Sequence, residues 1–208
     1  HLYRGKEYSH FITISHLMSH TSGLPCYLAD KQANGKTAMK ELEAGIDQAW
    51  PLHKVIQNVK KMKTHFPPGE KGKARYSDTN YQILSLIIEK ITGKPINIVL
   101  NTLFQELNLT DTYVYEDADE KGFIPIRYKS ESMNIPLYLA STHNDIISTA
   151  KDQMIFLKAF FNGYFFPKEK LSELEEWNNI FFPFKYGVGI EKFYTPRIFS
   201  PFRSVPDM

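Results

Sequence analysis

In Ala74-Arg75-Tyr76-Ser77-Asp78-Thr79-Asn80-Tyr81 a tyrosine and a carboxylate stand two positions apart, just ahead of a strongly apolar stretch. A phenol can carry a proton between reacting groups, but with an ordinary pKa of about 10 it is a poor base at neutral pH unless a cation lies beside it. Arg75 is the cation adjacent in sequence, yet neighbours on a turn often point apart. Two readings of Tyr76 therefore stand: a proton shuttle, or an aromatic staple packed where a helix starts. Ser77 or Asp78 can cap that helix.

Other chemistry-bearing residues are less persuasive. His16 and His20 stand four apart with His10 nearby, the spacing of a metal-binding pair on one helical face. No His-Glu-x-x-His pattern and no cysteine pair accompanies them, so packing at a helix end is the expected role. Asn34-Gly35-Lys36-Thr37 has the letters that end a phosphate loop, but the upstream glycine such a loop needs is Asp30 here. Ser148-Thr149-Ala150-Lys151 is the chain's one Ser-x-x-Lys, placed at an expected helix start. Thr92-Gly93-Lys94 reads as a helix stop.

The elements that must hold these residues are mostly helical. Ile14, Leu17 and Met18 have helical spacing before a break at Ser22-Gly23-Leu24-Pro25. Apolar residues recur every three or four positions over 36–49 and 52–62, with Pro51 where the second helix would begin. The clearest helix follows Tyr76: Leu84, Ile87, Ile88 and Ile91 line one face, and Gly93 with Pro95 stops it. That periodicity predicts a core helix and a rigid mounting for Tyr76. Residues 95–107 read as a further helix, 110–115 as a short strand, and 116–141 as a long excursion with at most one strand, 124–128. A helix starting at Ile147 or Ser148 runs to Asn162-Gly163, a charged one covers 168–177, and 184–194 alternate as strands do.

Composition narrows the function classes. The 208 residues are 42% hydrophobic and 14% aromatic, enough for a buried core. Net charge is only +2 and the basic residues are scattered apart from Lys60-Lys61-Met62-Lys63, which gives no nucleic-acid footprint. The apolar runs are far shorter than the roughly 20 residues that cross a bilayer. Cys26 is the single cysteine, so no internal disulfide can form, and His1 to Lys6 lack the apolar core of a signal peptide. Compartment stays open on these grounds. Without a repeat or a low-complexity linker, residues 1–208 read as one unit, with about 11–180 mainly helical and about 184–208 opening a sheet.

Four blocks carry a resemblance. Residues Ile12 to Pro25 with their Ser19-His20-Thr21-Ser22-Gly23-Leu24-Pro25 ending, then Phe66-Pro67-Pro68-Gly69, then Tyr76-Ser77-Asp78-Thr79-Asn80-Tyr81, then Ile147-Ser148-Thr149-Ala150-Lys151-Asp152, resemble in order and spacing the class C β-lactamase and penicillin-binding-protein-like serine hydrolases. The resemblance covers nearly the whole chain. It implies a β-lactamase/transpeptidase-like α/β fold, here mainly α with a few β-strands: the helical domain plus part of the sheet. It also implies catalysis through an acyl-enzyme on serine.

In that family a Ser-x-x-Lys, a Tyr-x-Asn or related triplet, and a Lys-Thr-Gly or His-x-Gly triplet make the site. Tyr76 falls on the tyrosine that passes the proton, and Asp78 falls where asparagine is common. An ionised carboxylate accepts hydrogen bonds but cannot donate one to a substrate carbonyl. Asp78 is thus either a variant ligand contact or only the helix cap, and the cap is favoured. Ser148 follows the tyrosine instead of preceding it and coincides with a block whose serine caps a helix, so it is expected to be a decoy. The first and third motifs are expected outside this chain, which then reads as the middle of a larger enzyme and as inactive by itself.

For the intact protein the resemblance implies acyl-D-Ala-D-Ala peptides, β-lactams, or small esters and amides as substrates, in an extracytoplasmic or cell-envelope setting. It implies no metal and no organic cofactor. The rival reading is a non-catalytic penicillin-binding-like interaction module, supported by Asp78 and by the aromatic stretches Phe160 to Phe166 and Phe181 to Phe184. Unpaired strand edges would favour a homodimer.

Overall fold

Short caps and tight turns, more than long periodic helices, set the architecture of the computed structural model, which describes residues 2–120, 127–128, 131–132, 135–143 and 145–193, the side chains of 127–128 and 131–132 excepted. After a two-residue hairpin, β1 (Leu2–Tyr3) and β2 (Lys6–Glu7), the chain enters α1 (Ile14–Met18). Thr13 accepts the His16 N–H and His16 Nδ1 accepts the Thr13 N–H, each at 3.2 Å, a capping box closed by a histidine.

The chain leaves α1 along Ser19 to Gly23 and lies against Phe66 to Gly69. The Gly69 N–H donates to Thr21 O at 2.9 Å and the His65 N–H to Gly23 O at 3.0 Å. Gly23 sits at φ 70°, and a Cβ there would stand 1.9 Å from the Phe66 carbonyl oxygen. Only glycine permits this approach.

Helix α2 (Ala38–Glu43) is shorter than its periodicity predicts, because Gly45 at φ 80° turns the chain before Ala49. Helix α3 (Leu52–Val59) starts where expected, with Pro51 as its N-cap residue. Together they cover a core of Cys26, Tyr27, Leu28, Ala38, Leu42, Trp50, Val55, Ile135 and Tyr138.

Helix α4 (Asp78–Thr92) corrects two expectations. Its buried residues are Thr79, Asn80 and Gln82 at the polar N-terminal end, whereas Ile88 is exposed and Ile91 is 76% exposed. The mounting of the Tyr76 turn is therefore a hydrogen-bonded polar end, and the predicted apolar face is only partly covered, along a groove of about 340 Å³ shared with Ile14 and Leu17 of α1. Nor does Ser77 or Asp78 cap the helix: the Ser77 hydroxyl donates to Pro25 O, and no side-chain cap bond forms. Gly93, at φ 67°, ends α4 as expected.

Helix α5 (Ile96–Glu106) and β3 (Tyr113–Val114) follow, around a second core of Phe104, Leu107, Leu109 and Val114. The excursion after Glu116 holds two short strands, β4 (Arg127–Tyr128) and β5 (Glu131–Ser132), instead of one; residues 124–126 of the expected strand lie outside the described residues. It also holds an unexpected helix, α6 (Pro136–Thr142). Its start is satisfied from 90 positions away, where the Asp47 carboxylate accepts the Leu137 and Tyr138 N–H groups at 2.8 and 2.9 Å. No local pattern signals such a cap.

Strand β6 (Ile146–Ile147) pairs antiparallel with β3, placing Tyr113 opposite Ile147. Helix α7 (Ala150–Phe161) is capped by Thr149, which accepts the Asp152 N–H, and not by Ser148. The expected charged helix is a run of 3-10 turns over Lys168–Leu174, ending before Trp177. Then β7 (Asn178–Phe181), β8 (Phe184–Tyr186) and β9 (Glu191–Phe193) form an antiparallel sheet in that order. No helix among the described residues is long and apolar enough to cross a membrane.

Replacing Gly23 with Ala forces a methyl into the Phe66 carbonyl and holds it at positive φ. Overpacking of this kind costs about 1–3 kcal/mol, so Gly23→Ala is expected to lose at least about 2 kcal/mol in urea unfolding.

Candidate functional site

The site is assembled by stitching residues 75–80 onto residues 20–27. His20, at φ 58° just past α1, is completely buried. Its Nδ1 lies 3.2 Å from the Ser77 N and 3.1 Å from Asn80 Nδ2. A backbone N–H can only donate, so Nδ1 is the acceptor and the ring proton sits on Nε2. The Ser22 hydroxyl donates to Asn80 Oδ1 at 2.7 Å, which turns the Asn80 amide nitrogen toward His20.

A second row of bonds runs beside the first. The Ser77 and Thr79 hydroxyls both donate to Pro25 O, at 3.1 and 2.7 Å, and the Tyr27 N–H donates to Thr79 Oγ1 at 3.1 Å. The Arg75 N–H donates to His20 O at 2.9 Å. At roughly 1 kcal/mol net per bond, the polar mounting rivals what one or two buried aliphatic side chains would contribute.

Tyr76 lies on this mounting with its ring against the His20 imidazole, centroids 4.4 Å apart, and the Tyr186 ring of β8 meets the same imidazole edge-on, also at 4.4 Å. The tyrosine is 41% exposed, so it is no buried staple. Its hydroxyl donates to Asp78 Oδ1 at 3.2 Å. The other carboxylate oxygen, Oδ2, accepts the Cys26 thiol at 3.1 Å. Both oxygens of Asp78 thus face the Tyr76 and Cys26 side, which is why the carboxylate leaves the helix start uncapped.

Electrostatics follow from this geometry. Burial first, and the Asp78 charge second, push the Tyr76 phenol well above its ordinary pKa. The same two causes raise the Cys26 thiol to about 12. Arg75 does not relieve the phenol, because its guanidinium turns to Asp30. Nearby, burial and the Asp78 charge also raise the Asp145 carboxyl, against a lowering bond from Thr142. In this arrangement Tyr76 keeps its proton at neutral pH and presents an O–H donor. It can act as a base only where a cation enters beside it.

The remaining candidates fall elsewhere. Ser148 shares a hydrogen bond with Thr112 at 2.9 Å, and Thr112 in turn donates to the buried Asp152, so Ser148 belongs to a joint between β3 and α7. His16 turns back to Thr13, while His20 lies beyond the helix end, and the pair does not share a helical face. Among the described residues no group of three or more His, Cys, Asp or Glu is arranged to hold a metal ion. Sequence reasoning missed His20 as the ring beneath Tyr76, and Asn80, Cys26 and Asp30 as the residues that hold His20, Asp78 and Arg75 in place. Their signal was present, since His20 and Cys26 flank the Thr-Ser-Gly-Leu-Pro block and Asn80 is two residues past Asp78.

Known proteins share this chain's sequence pattern and fold. A family model described as Beta-lactamase matches residues 3–187. A Bacillus subtilis (strain 168) protein bearing the penicillin-binding-protein name PbpX is 24% identical over 188 residues, covering 86% of this chain and 42% of that protein. An Escherichia coli (strain K12) protein named for D-alanyl-D-alanine carboxypeptidase is 30% identical over 124 residues, covering 59% of this chain and 26% of that one. The crystal structure of a D-stereospecific amidohydrolase from Streptomyces sp. superposes with a TM-score of 0.65 at 25% identity, covering 88% of this chain and 57% of that one. The chain spans less than half the length of the two curated relatives.

Burial depresses the His20 pKa from 6.5 to about 4. The unfolded imidazole takes up a proton below about 6.5 while the folded one does not. Stability is therefore complete above that pH and is lost as pH falls from about 6.5 to about 4, at about 1.4 kcal/mol per unit. Side-chain NMR is expected to show His20 neutral down to about pH 4, with urea midpoints falling through the same window.

Proposed function

The chain belongs to the Beta-lactamase family, and on that premise we propose that it carries the tyrosine arm of a serine hydrolase that works through an acyl-enzyme. The observation that carries this reading is the Tyr76–Asp78 pair, an accessible phenol 3.2 Å from a carboxylate on a doubly stitched turn. Acyl transfer requires that a serine hydroxyl lose its proton on attack and that the leaving group gain one. Tyr76 is the group that hands the proton on. Burial and the Asp78 charge hold the phenol's proton tightly, so the transfer is an exchange: Tyr76 passes its proton to the leaving nitrogen or oxygen as it takes the one lost by the attacking hydroxyl, and a cation entering beside the phenol eases it.

Substrates in this reading are acyl-D-Ala-D-Ala peptides, β-lactams, or small esters and amides, in a cell-envelope setting. The names of the relatives, a D-alanyl-D-alanine carboxypeptidase and a D-stereospecific amidohydrolase, support the amide end of that range. The chain's one Ser-x-x-Lys begins at Ser148, whose hydroxyl partner is Thr112 and not a base. This chain by itself is therefore read as forming no acyl-enzyme. A second reading, a non-catalytic interaction module on the same scaffold, draws on one observation: the phenol holds its proton well above the ordinary range, with no cation beside it among the described residues to ease its loss.

Intact-mass spectrometry after exposure to a reactive penicillin and to an activated ester is expected to find no adduct on this chain, and an adduct mapping to Ser148 would overturn the assignment. In a longer form that carries a Ser-x-x-Lys before the Tyr76 turn and forms an adduct there, Tyr76→Phe is expected to slow acylation by about 10²- to 10⁴-fold. An unchanged rate removes Tyr76 from the chemistry. No adduct on the longer form selects the interaction module.

Among the described residues no further strand pairs with β7 or β9, and in this reading their outer edges are contact points for a second copy. Sedimentation is expected to show a concentration-dependent dimer, and a clean monomer at high concentration removes that part.

A further inference from the structure

We propose that Asp30 is a positioning residue for the Tyr76–Asp78 pair, holding the guanidinium of Arg75 on one side and the backbone N–H of Cys26 on the other. The proposal rests on the reading of Tyr76 and Asp78 as the site. Three segments converge on the Asp30 carboxylate, whose side chain is 12% exposed. Arg75 Nη2 donates to Oδ1 at 2.5 Å, and His65 Nε2 and the Cys26 N–H reach Oδ2 at 2.8 and 2.9 Å. The Asp30 N–H closes the loop onto Cys26 O at 3.0 Å. Burial alone would raise this carboxyl, but the bonds from His65 and Arg75 outweigh it and hold Asp30 well below the usual carboxylate range. Asp30 is therefore an anion at neutral pH.

One arm governs charge. Arg75 precedes Tyr76, and its backbone is pinned to His20 O, so the direction of its long side chain is decided by where the guanidinium finds an anion. Asp30 supplies that anion. The groups packed around the phenol are then His20, neutral by burial, Tyr186, Asp78 and, through Asp78, Cys26. None of these is a cation. Without the Asp30 charge, the half-exposed guanidinium is free to turn toward Asp78 or the phenol, and a cation within about 4–6 Å stabilises a phenolate.

The second arm governs direction. Asp30 holds the backbone of Cys26, whose thiol occupies Asp78 Oδ2 and so leaves Oδ1 for the Tyr76 hydroxyl. Asp30 touches neither the phenol nor its carboxylate. It sets the proton bias of Tyr76 by withholding one group and presenting another.

The test uses this chain labelled with 13C at the tyrosine Cζ, the Tyr76 signal being identified by its loss in Tyr76→Phe. In the isosteric Asp30→Asn variant, Tyr76 is expected to titrate about one pH unit or more lower than in the unaltered chain, and in Asp30→Asn with Arg75→Gln it is expected to return to its original position. A general loosening of the fold would not be reversed by removing a second side chain. The Raman S–H band of the only cysteine is expected to move to higher frequency in Asp30→Asn as its bond to Asp78 weakens. An unchanged Tyr76 titration in folded Asp30→Asn overturns the proposal. Arg75→Gln alone tests it independently of whether Asp30→Asn folds: the Tyr76 titration is expected to stay in place, and an upward shift would show that the guanidinium already acts on the phenol. None of these signals requires turnover, so failure of the acyl-transfer reading appears in the mass spectra and leaves these outcomes distinct.

Discussion

A single buried imidazole nitrogen organises the candidate site. His20 Nδ1 takes the Ser77 N–H and the Asn80 amide together, and through them the first turn of α4 is locked to the segment that leaves α1. The ring must be neutral to accept, and burial keeps it so. Pro25 O, with the Ser77 and Thr79 hydroxyls on it, repeats the lock a few residues on. Tyr76 lies over the imidazole, so the group that makes the turn rigid is also the surface on which the phenol rests. Rigidity and orientation thus have one cause.

The charges arranged on this mounting all act in one direction. Burial, and then the charge of Asp78, keep the phenol protonated and the Cys26 thiol undissociated. The cation adjacent in sequence, Arg75, is paired with Asp30 at 2.5 Å. A phenol in this state holds its proton tightly, and its conversion to a base waits on an incoming positive charge. For a proton shuttle that condition couples acid–base competence to assembly of the rest of a site. The opposite end of α4 tells a complementary story, since Ile91 and its neighbours lie open while the polar end is sealed.

Much of the layout was legible locally, where one residue type has one physical use. Pro51 and Pro95 start helices because their missing N–H is harmless there, and Gly93 ends one because it alone reaches positive φ without strain. The period of Ile96 to Glu106 and of Ala150 to Phe161 marked real helices. Local reading failed where the partner is remote. Asp47 caps α6 from 90 residues away, and Gly45 cut α2 short although the apolar period continued past it. On α4 the period was right for a helix and wrong about burial, because periodicity shows that a face is apolar and not what covers it.

For the site, sequence by itself determined the family blocks and the Tyr76-Ser77-Asp78 turn, and supported the reading of Ser148 as a decoy, because these depend on residue type and order. Tertiary structure alone decided which way the side chains face. Arg75 adjoins Tyr76 in the chain yet pairs with Asp30, 45 positions away, and Asp78 turns from the cap position to meet Cys26, 52 positions away. A short carboxylate or a long guanidinium has several partners within reach of its backbone. The choice among them is made by buried donors and acceptors that only the folded chain brings together, where an unmet one costs more than a local bond gains.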